Sequence, residues 1–165
     1  MEEHRRDQEE KAKVALLVTS DVRIPETDDS GKIAIQILEE AGHRVVAYMI
    51  LKNDAEQIKE ALRNLLTDKV INVIITSGGT GVSQKDVTVD AACSLMEKRV
   101  EGFGEFFRRL SHEQIGEAAI LSRATAGVAA KKLIFCLPGS KNAISLGLRK
   151  AILPILGHML WEVNR

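Results

Sequence analysis

Between residues 76 and 81 the chain reads Thr-Ser-Gly-Gly-Thr-Gly, and Lys85, Asp86, Val87 and Thr88 follow closely. The glycines Gly78, Gly79 and Gly81 permit backbone conformations and close approaches that a side chain would block, so exposed amides can surround a phosphate. Ser77 and Thr80 add hydroxyl donors. No Gly-Lys-Ser or Gly-Lys-Thr follows and the spacing is not Gly-x-Gly-x-x-Gly, so neither standard nucleotide-binding loop is specified. Taken alone, the run also fits a tight strand-to-helix turn. Its neighbours sharpen the reading. Amides to position an anion, a lysine to neutralise it and an aspartate to hold Mg²⁺ form the set that phosphoryl or nucleotidyl transfer needs. Asp86 has a plainer alternative, as the N-cap of the helix that should begin there.

A second turn, Pro138-Gly139-Ser140-Lys141, opens another helix, where amides and dipole favour an anion. Two such turns on one sheet edge can hold opposite ends of one ligand. His43, His112 and His158 have no mutual spacing that points to a metal or a triad, and they read as solvated or satisfied. Cys93 and Cys136 lack any Cys-x-x-Cys or Cys/His spacing and read as small core hydrophobes. The Gly102-Phe103-Gly104-Glu105-Phe106-Phe107 run reads as a ligand flap, a helix-packing face or a subunit contact.

The elements that must position these residues follow from hydrophobic pattern. Strands are predicted over 13–20, 43–51, 70–76 and 133–137, each a nearly continuous apolar run as expected of a parallel strand covered on both faces. A further strand is predicted over 124–129, and one reversed strand in the sheet is plausible. Helices are predicted over 31–41, ended by Gly42, then after a cap at Asn53 or Asp54, in the run holding Val89, Ala92, Cys93 and Met96, over 103–110 and over 141–153. The result is a three-layer α/β/α sandwich with a mostly parallel sheet and one antiparallel strand. In such sheets ligands bind beyond the carboxyl ends of the strands. Four loops end there: Ser20-Asp21 with Asp28 to Gly31, Leu51 to Asp54, Ser77 to Asp86, and Pro138 to Asn142.

The 165 residues suit one domain, expected over 13–165, behind a charged and flexible arm at 1–12. The 23 basic and 23 acidic side chains cancel, so no global field favours nucleic acid or an anionic membrane, and anion binding must be local. With 28% charged residues the chain is too polar for a membrane span, and residues 1–11 lack the apolar stretch of a secretory signal, which predicts a cytoplasmic protein.

These motifs, in this order, resemble the molybdopterin-binding family typified by the MoaB and MogA proteins. The likeness runs from about Lys13 to Leu153 and rests on Thr19 to Asp21, Asp28 to Gly31, Thr76 to Gly81, Lys85 to Thr88, Glu101 to Ser111, Ile120 to Val128 and Leu137 to Ser140. The resemblance implies a trimer or hexamer that binds molybdopterin and transfers AMP from ATP to its phosphate, using Mg²⁺ and releasing pyrophosphate. By position, Gly78, Gly79, Thr80 and Gly81 match the family's phosphate loop, with Ser77 beside them, Asp86 its catalytic and metal-linked aspartate, and Pro138, Gly139 and Ser140 its second ligand loop, with Ser20 and Asp21 alongside. Lys85 stands where arginine is common. One departure matters: adenylylating members usually carry an aspartate where this chain has Asn53, with Asp54 one residue later. Asparagine can coordinate Mg²⁺ through its carbonyl oxygen but brings no charge. The segments around Phe103 and Arg123 look more like the MoaB branch.

Three functions therefore compete: a molybdopterin adenylyltransferase, a non-catalytic molybdopterin carrier of the same pathway, and an oligomeric scaffold whose glycine loop is only a turn. If the loop binds phosphate, Gly79→Val is expected to weaken binding while leaving the thermal midpoint nearly unchanged.

Overall fold

The computed structural model describes residues 10–165. Residues 1–9 of the expected arm lie outside the described residues. The end of that arm belongs to the fold: Ala12 is buried, donates its N–H to His43 Nδ1 at 3.0 Å, and accepts from the amide of Arg44.

Six strands form one sheet: β1 (Lys13–Thr19), β2 (Arg44–Leu51), β3 (Val73–Ser77), β4 (Lys98–Arg99), β5 (Thr125–Ala129) and β6 (Lys132–Leu137). Their spatial order is β2-β1-β3-β6-β5-β4. β2, β1, β3 and β6 are parallel, and β5 runs against both of its neighbours, so the sheet has the single reversed strand expected. The two-residue β4 is an addition that periodicity does not reveal. Side chains alternate to two cores. Val14, Leu16 and Val18 face one layer, with α1 (Asp29–Glu40), α4 (Glu101–Ile115), α5 (Lys141–Leu146) and α6 (Leu156–Asn164). Ala15 and Leu17 face the other, with α2 (Ala55–Thr67) and α3 (Thr88–Cys93).

Several boundaries move for identifiable reasons. α1 begins at Asp29, before Gly31, because the Asp28 carboxylate accepts the Gly31 amide. Asp54 caps α2 through the Gln57 amide, which settles the choice between it and Asn53. β3 starts at Val73 because the Asp68 carboxylate takes the amides of Val70 and Ile71 into a turn. Met96 lies beyond α3, in the turn to β4. The last predicted helix passes through a π-helical turn at Gly147–Ile152, and α6 follows at a 61° bend. Pro154, with no N–H to donate, stands in that break. No single helix among the described residues is long and apolar enough to cross a membrane.

The aromatic run is mostly internal. Phe103 and Phe107 are buried, Phe103 packing edge-on against Phe135 at 5.3 Å, and only Phe106, 45% exposed, faces outward. As a flap or a three-phenylalanine subunit contact the run is therefore excluded, and helix packing is its role. Cys136 is wholly buried, which pushes its thiol up to about 12, and Cys93 is half-buried.

β5 and β6 join through Ala130 and Lys131, both with left-handed backbones (φ 49° and 58°), as a two-residue turn of matching twist requires. Neither residue favours that region. Replacing the pair with Asn-Gly is expected to stabilise the fold by about 1 kcal/mol, raising the thermal midpoint by roughly 2–4 °C in calorimetry. An unchanged or lower midpoint would refute this account of the turn.

Candidate functional site

β1 leads to β2 on one side and lies against β3 on the other, so the connection reverses direction between β1 and β3 and leaves a crevice at their carboxyl ends. The glycine loop fills it. Gly78 (φ 104°) and Gly79 (φ 68°) have left-handed backbones. A Cβ on Gly78 would lie 2.5 Å from the Thr19 carbonyl oxygen, and one on Gly79 would collide with the Thr88 hydroxyl. The loop is tied on each side: the Gly78 amide donates to Leu137 O at 2.9 Å, Thr88 N–H to Gly79 O at 3.2 Å, and the hydroxyls of Thr19 and Thr88 are 2.9 Å apart.

A cleft of about 340 Å³ opens beside it. Gly79, Thr80 and Gly81 contribute one part of its lining, and Pro138, Gly139 and Ser140 another. The two turns expected to share a ligand therefore do meet. Ile115 and Leu121 supply apolar surface, with Phe107 buried in the wall behind them, and Asp86 supplies a carboxylate. The Pro138–Ser140 turn is held from behind: Arg23 Nη2 (3.0 Å) and Ser30 Oγ (2.8 Å) both donate to Gly139 O. Arg23 also stands 3.7 Å from the fully buried Asp28, which accepts from the Tyr48 hydroxyl at 2.5 Å. Burial, then the hydrogen bond and charge of Asp28, push the Tyr48 phenol well above its ordinary range.

Asp86 is not a helix cap. Its Oδ2 accepts from the Ser83 amide (3.0 Å) and hydroxyl (2.8 Å), while α3 begins at Thr88 with no side-chain cap. Partial burial raises the carboxyl's pKa, but hydrogen bonds from Ser83 and Gly81 and the charge of Arg123 outweigh it and hold the group below the usual range. It is ionised at neutral pH. Gly81 is a position of close approach, since its Cβ would sit 2.6 Å from Asp86 Oδ2.

The other expected members have separate partners. Ser77 lies beneath the loop, fully buried, its hydroxyl without a hydrogen-bond partner. Ser20 Oγ accepts from the amides of Val22 and Arg23, and Ser140 Oγ caps α5 through Ala143. Asp21 accepts from the Asn53 amide at 3.0 Å, which with the Asn53 side chain and Lys85 lowers its pKa. Lys85, the cation expected at the phosphate, lies 3.8 Å from Asp21 instead and does not line the cleft. The carboxylate of Asp54 is taken by its helix cap. Among the described residues no three His, Cys, Asp or Glu side chains converge as a metal site. Mg²⁺ typically takes one or two carboxylates together with substrate phosphates and waters, which Asp86 alone fits. Sequence reasoning missed Arg23, Tyr48, Asp90 and Arg123, whose hydrogen bonds and ion pairs support the two turns from behind. Arg23 and Arg123 lay within or beside the quoted motifs, but no spacing rule links them to loops so distant in the chain.

Residues 15–158 match the family model described as "Probable molybdopterin binding domain". The chain is 41% identical over 164 residues to molybdenum cofactor biosynthesis protein B of Bacillus cereus, covering 99% of this chain and 97% of that one, and 40% identical to its namesake in Bacillus subtilis, covering 100% and 98%. Among solved structures it is similar to a molybdenum cofactor biosynthesis protein B (TM-score 0.91, 41% identity, 94% of this chain and 98% of that one). It is also similar to the tungsten cofactor synthesizing protein MoaB of Pyrococcus furiosus (TM-score 0.84, 32% identity, 94% and 99%).

The packing around Gly79 corrects the expectation that bulk there would spare stability. A side chain would meet Thr88 and adopt a strained φ of 68°, so even Gly79→Ala is expected to cost about 2 kcal/mol, lowering the midpoint by roughly 4–8 °C. A variant melting with the wild type would show that the loop relaxes without cost.

Proposed function

The chain belongs to the molybdopterin-binding family of molybdenum cofactor biosynthesis, and from that premise we propose that it transfers AMP from ATP to the phosphate of molybdopterin. The observation that carries this reading is the cleft in which two loops meet an ionised Asp86. An oxygen of the molybdopterin phosphate attacks the α-phosphorus of ATP, the bond from that phosphorus to the bridging oxygen breaks, and pyrophosphate leaves. The glycine loop and the Pro138–Ser140 turn position the phosphate with backbone amides, while the exposed Ile115 and Leu121 offer apolar surface to the pterin ring. Asp86 would hold Mg²⁺, which when bound supplies Lewis-acid stabilisation of the charge growing on the phosphates. The cytoplasm, where ATP is plentiful, is the compartment this reading requires.

The carrier reading keeps one specific support: Asn53 is neutral and Asp54 is spent on its helix, so no second carboxylate of the expected pair joins Asp86. Pyrophosphate release from ATP on adding molybdopterin separates the two. Wild-type protein that binds molybdopterin but makes no pyrophosphate would leave the carrier function standing. Asp86→Asn is expected to slow turnover roughly a hundredfold, about 3 kcal/mol of transition-state stabilisation, while molybdopterin binding persists. Because the amide oxygen can still accept from Ser83, stability should change by no more than about 1 kcal/mol. A variant working at the wild-type rate under saturating Mg²⁺ would remove Asp86 from the mechanism.

We also infer a homo-oligomer built on trimers, which the family resemblance implies and to which the exposed Phe106, Ile120 and Trp161 offer apolar surface. Light scattering at micromolar concentration should give at least three times the 18.1 kDa chain mass, and a monomer would end this inference.

A further inference from the structure

One side chain reaches the glycine loop from a distant part of the chain. Arg123, in the segment between α4 and β5, donates its backbone N–H to Thr80 O (2.8 Å), Nε to Gly81 O (2.8 Å) and Nη2 to Asp86 O (2.7 Å). Its remaining nitrogen, Nη1, meets both carboxylate oxygens of Asp90 at 2.9 and 3.1 Å, which fixes the plane of the guanidinium. Nε and Nη2 lie on one edge of that plane, so a single rigid group sets the separation of the carbonyls that begin and end the Gly81–Asp86 turn.

These bonds also decide where the amides point. A trans peptide unit directs its C=O and its N–H to opposite sides. The backbone of Arg123, by taking the Thr80 carbonyl, turns the Gly81 N–H the other way, toward the Asp86 carboxylate that this amide helps to keep ionised. By taking the Gly81 carbonyl, the side chain likewise sets the Val82 N–H. The Thr88 N–H does the same for the Thr80 amide through Gly79 O. An anion site made of amides works only when those amides are fixed before the ligand arrives.

We propose that Arg123 is a positioning residue which, clamped by Asp90, holds the glycine loop and Asp86 in one preorganised frame for a phosphate-bearing ligand. It does not itself line the cleft beside the glycine loop, so its effect is transmitted through the carbonyls it holds. The choice of arginine is chemical: a lysine ammonium is a point charge and cannot span two carbonyls and a carboxylate with fixed geometry.

This proposal rests on the phosphate-binding reading above, and its test separates the two. Hydrogen exchange of the segment 78–88 and molybdopterin affinity are measured in full-length wild type, Arg123→Ala and Arg123→Lys, with β3 as internal reference. Arg123→Ala should speed exchange at residues 81–88 by at least about tenfold while Val73–Ile75 stay protected, and should weaken molybdopterin binding by about tenfold. Arg123→Lys should retain much of the wild-type thermal midpoint yet recover little of the loop protection. If Arg123→Ala does not fold, Asp90→Asn, which leaves Arg123 in place but frees its plane, carries the same measurement, with about threefold effects expected. Unchanged exchange in a folded variant overturns the proposal. Wild-type protein that fails to bind molybdopterin overturns the functional reading instead, while the exchange data still decide the role of Arg123.

Discussion

Three neighbouring strands, β1, β3 and β6, end together, and the backbone of the glycine loop has to pass between the first and the last of them. Gly78 hydrogen-bonds to Leu137 O on one side, and a Cβ on it would fall against the Thr19 carbonyl on the other. Gly139 presses in from β6, where its Cβ would be 3.3 Å from the Gly78 Cα. Only backbone fits in this seam, so the polar surface it offers to the cleft is largely peptide groups. Peptide groups carry no net charge and no rotamer freedom, which suits them to hold a phosphate in one place but obliges other residues to fix their orientation.

That obligation is met by side chains that hold carbonyls. Arg123 takes those of Gly81 and Asp86, and Arg23 with Ser30 takes that of Gly139. Each arginine is in turn aligned by a carboxylate, Asp90 in one case and Asp28 in the other. Asp28 is wholly buried, a situation that is costly unless the charge is hydrogen-bonded, and it accepts from the Gly31 amide and from Tyr48 while facing Arg23. The guanidiniums therefore work behind the loops, and the part of the cleft formed by the two turns has amides and hydroxyls rather than cations as its donors.

How much of this could be read in advance depended on range. The apolar runs at Lys13, His43 and Leu133 identified buried parallel strands because a strand covered on both faces has no other pattern, whereas the direction of the strand at Thr125–Ala129 is set by its pairing and has no signature in its residues. The two ligand turns were legible because glycine and proline mark backbone requirements locally. Phe103 and Phe107 were not, since a helix-spaced aromatic pair reads alike whether it meets a core or a partner. Lys85 seemed to belong to the phosphate through nearness in the chain, whereas the turn closed by Ser83 and Asp86 leaves it beside Asp21. Arg123 contacts residues about forty positions away, and no local rule reaches that far.

The placement of Asp86 bears on what the cleft is for. A carboxylate kept ionised by Ser83, Gly81 and Arg123 lines the same cleft as the amides suited to a phosphate. Like unit charges 4 Å apart repel by about 4 kcal/mol at an effective dielectric of 20, so a site selected only to retain molybdopterin would be better without this group. A divalent cation held by Asp86 would reverse that sign by supplying positive charge to the phosphate. The ionised Asp86 beside backbone amides is thus the feature on which the proposed transferase reading rests, and the feature that a carrier would not need.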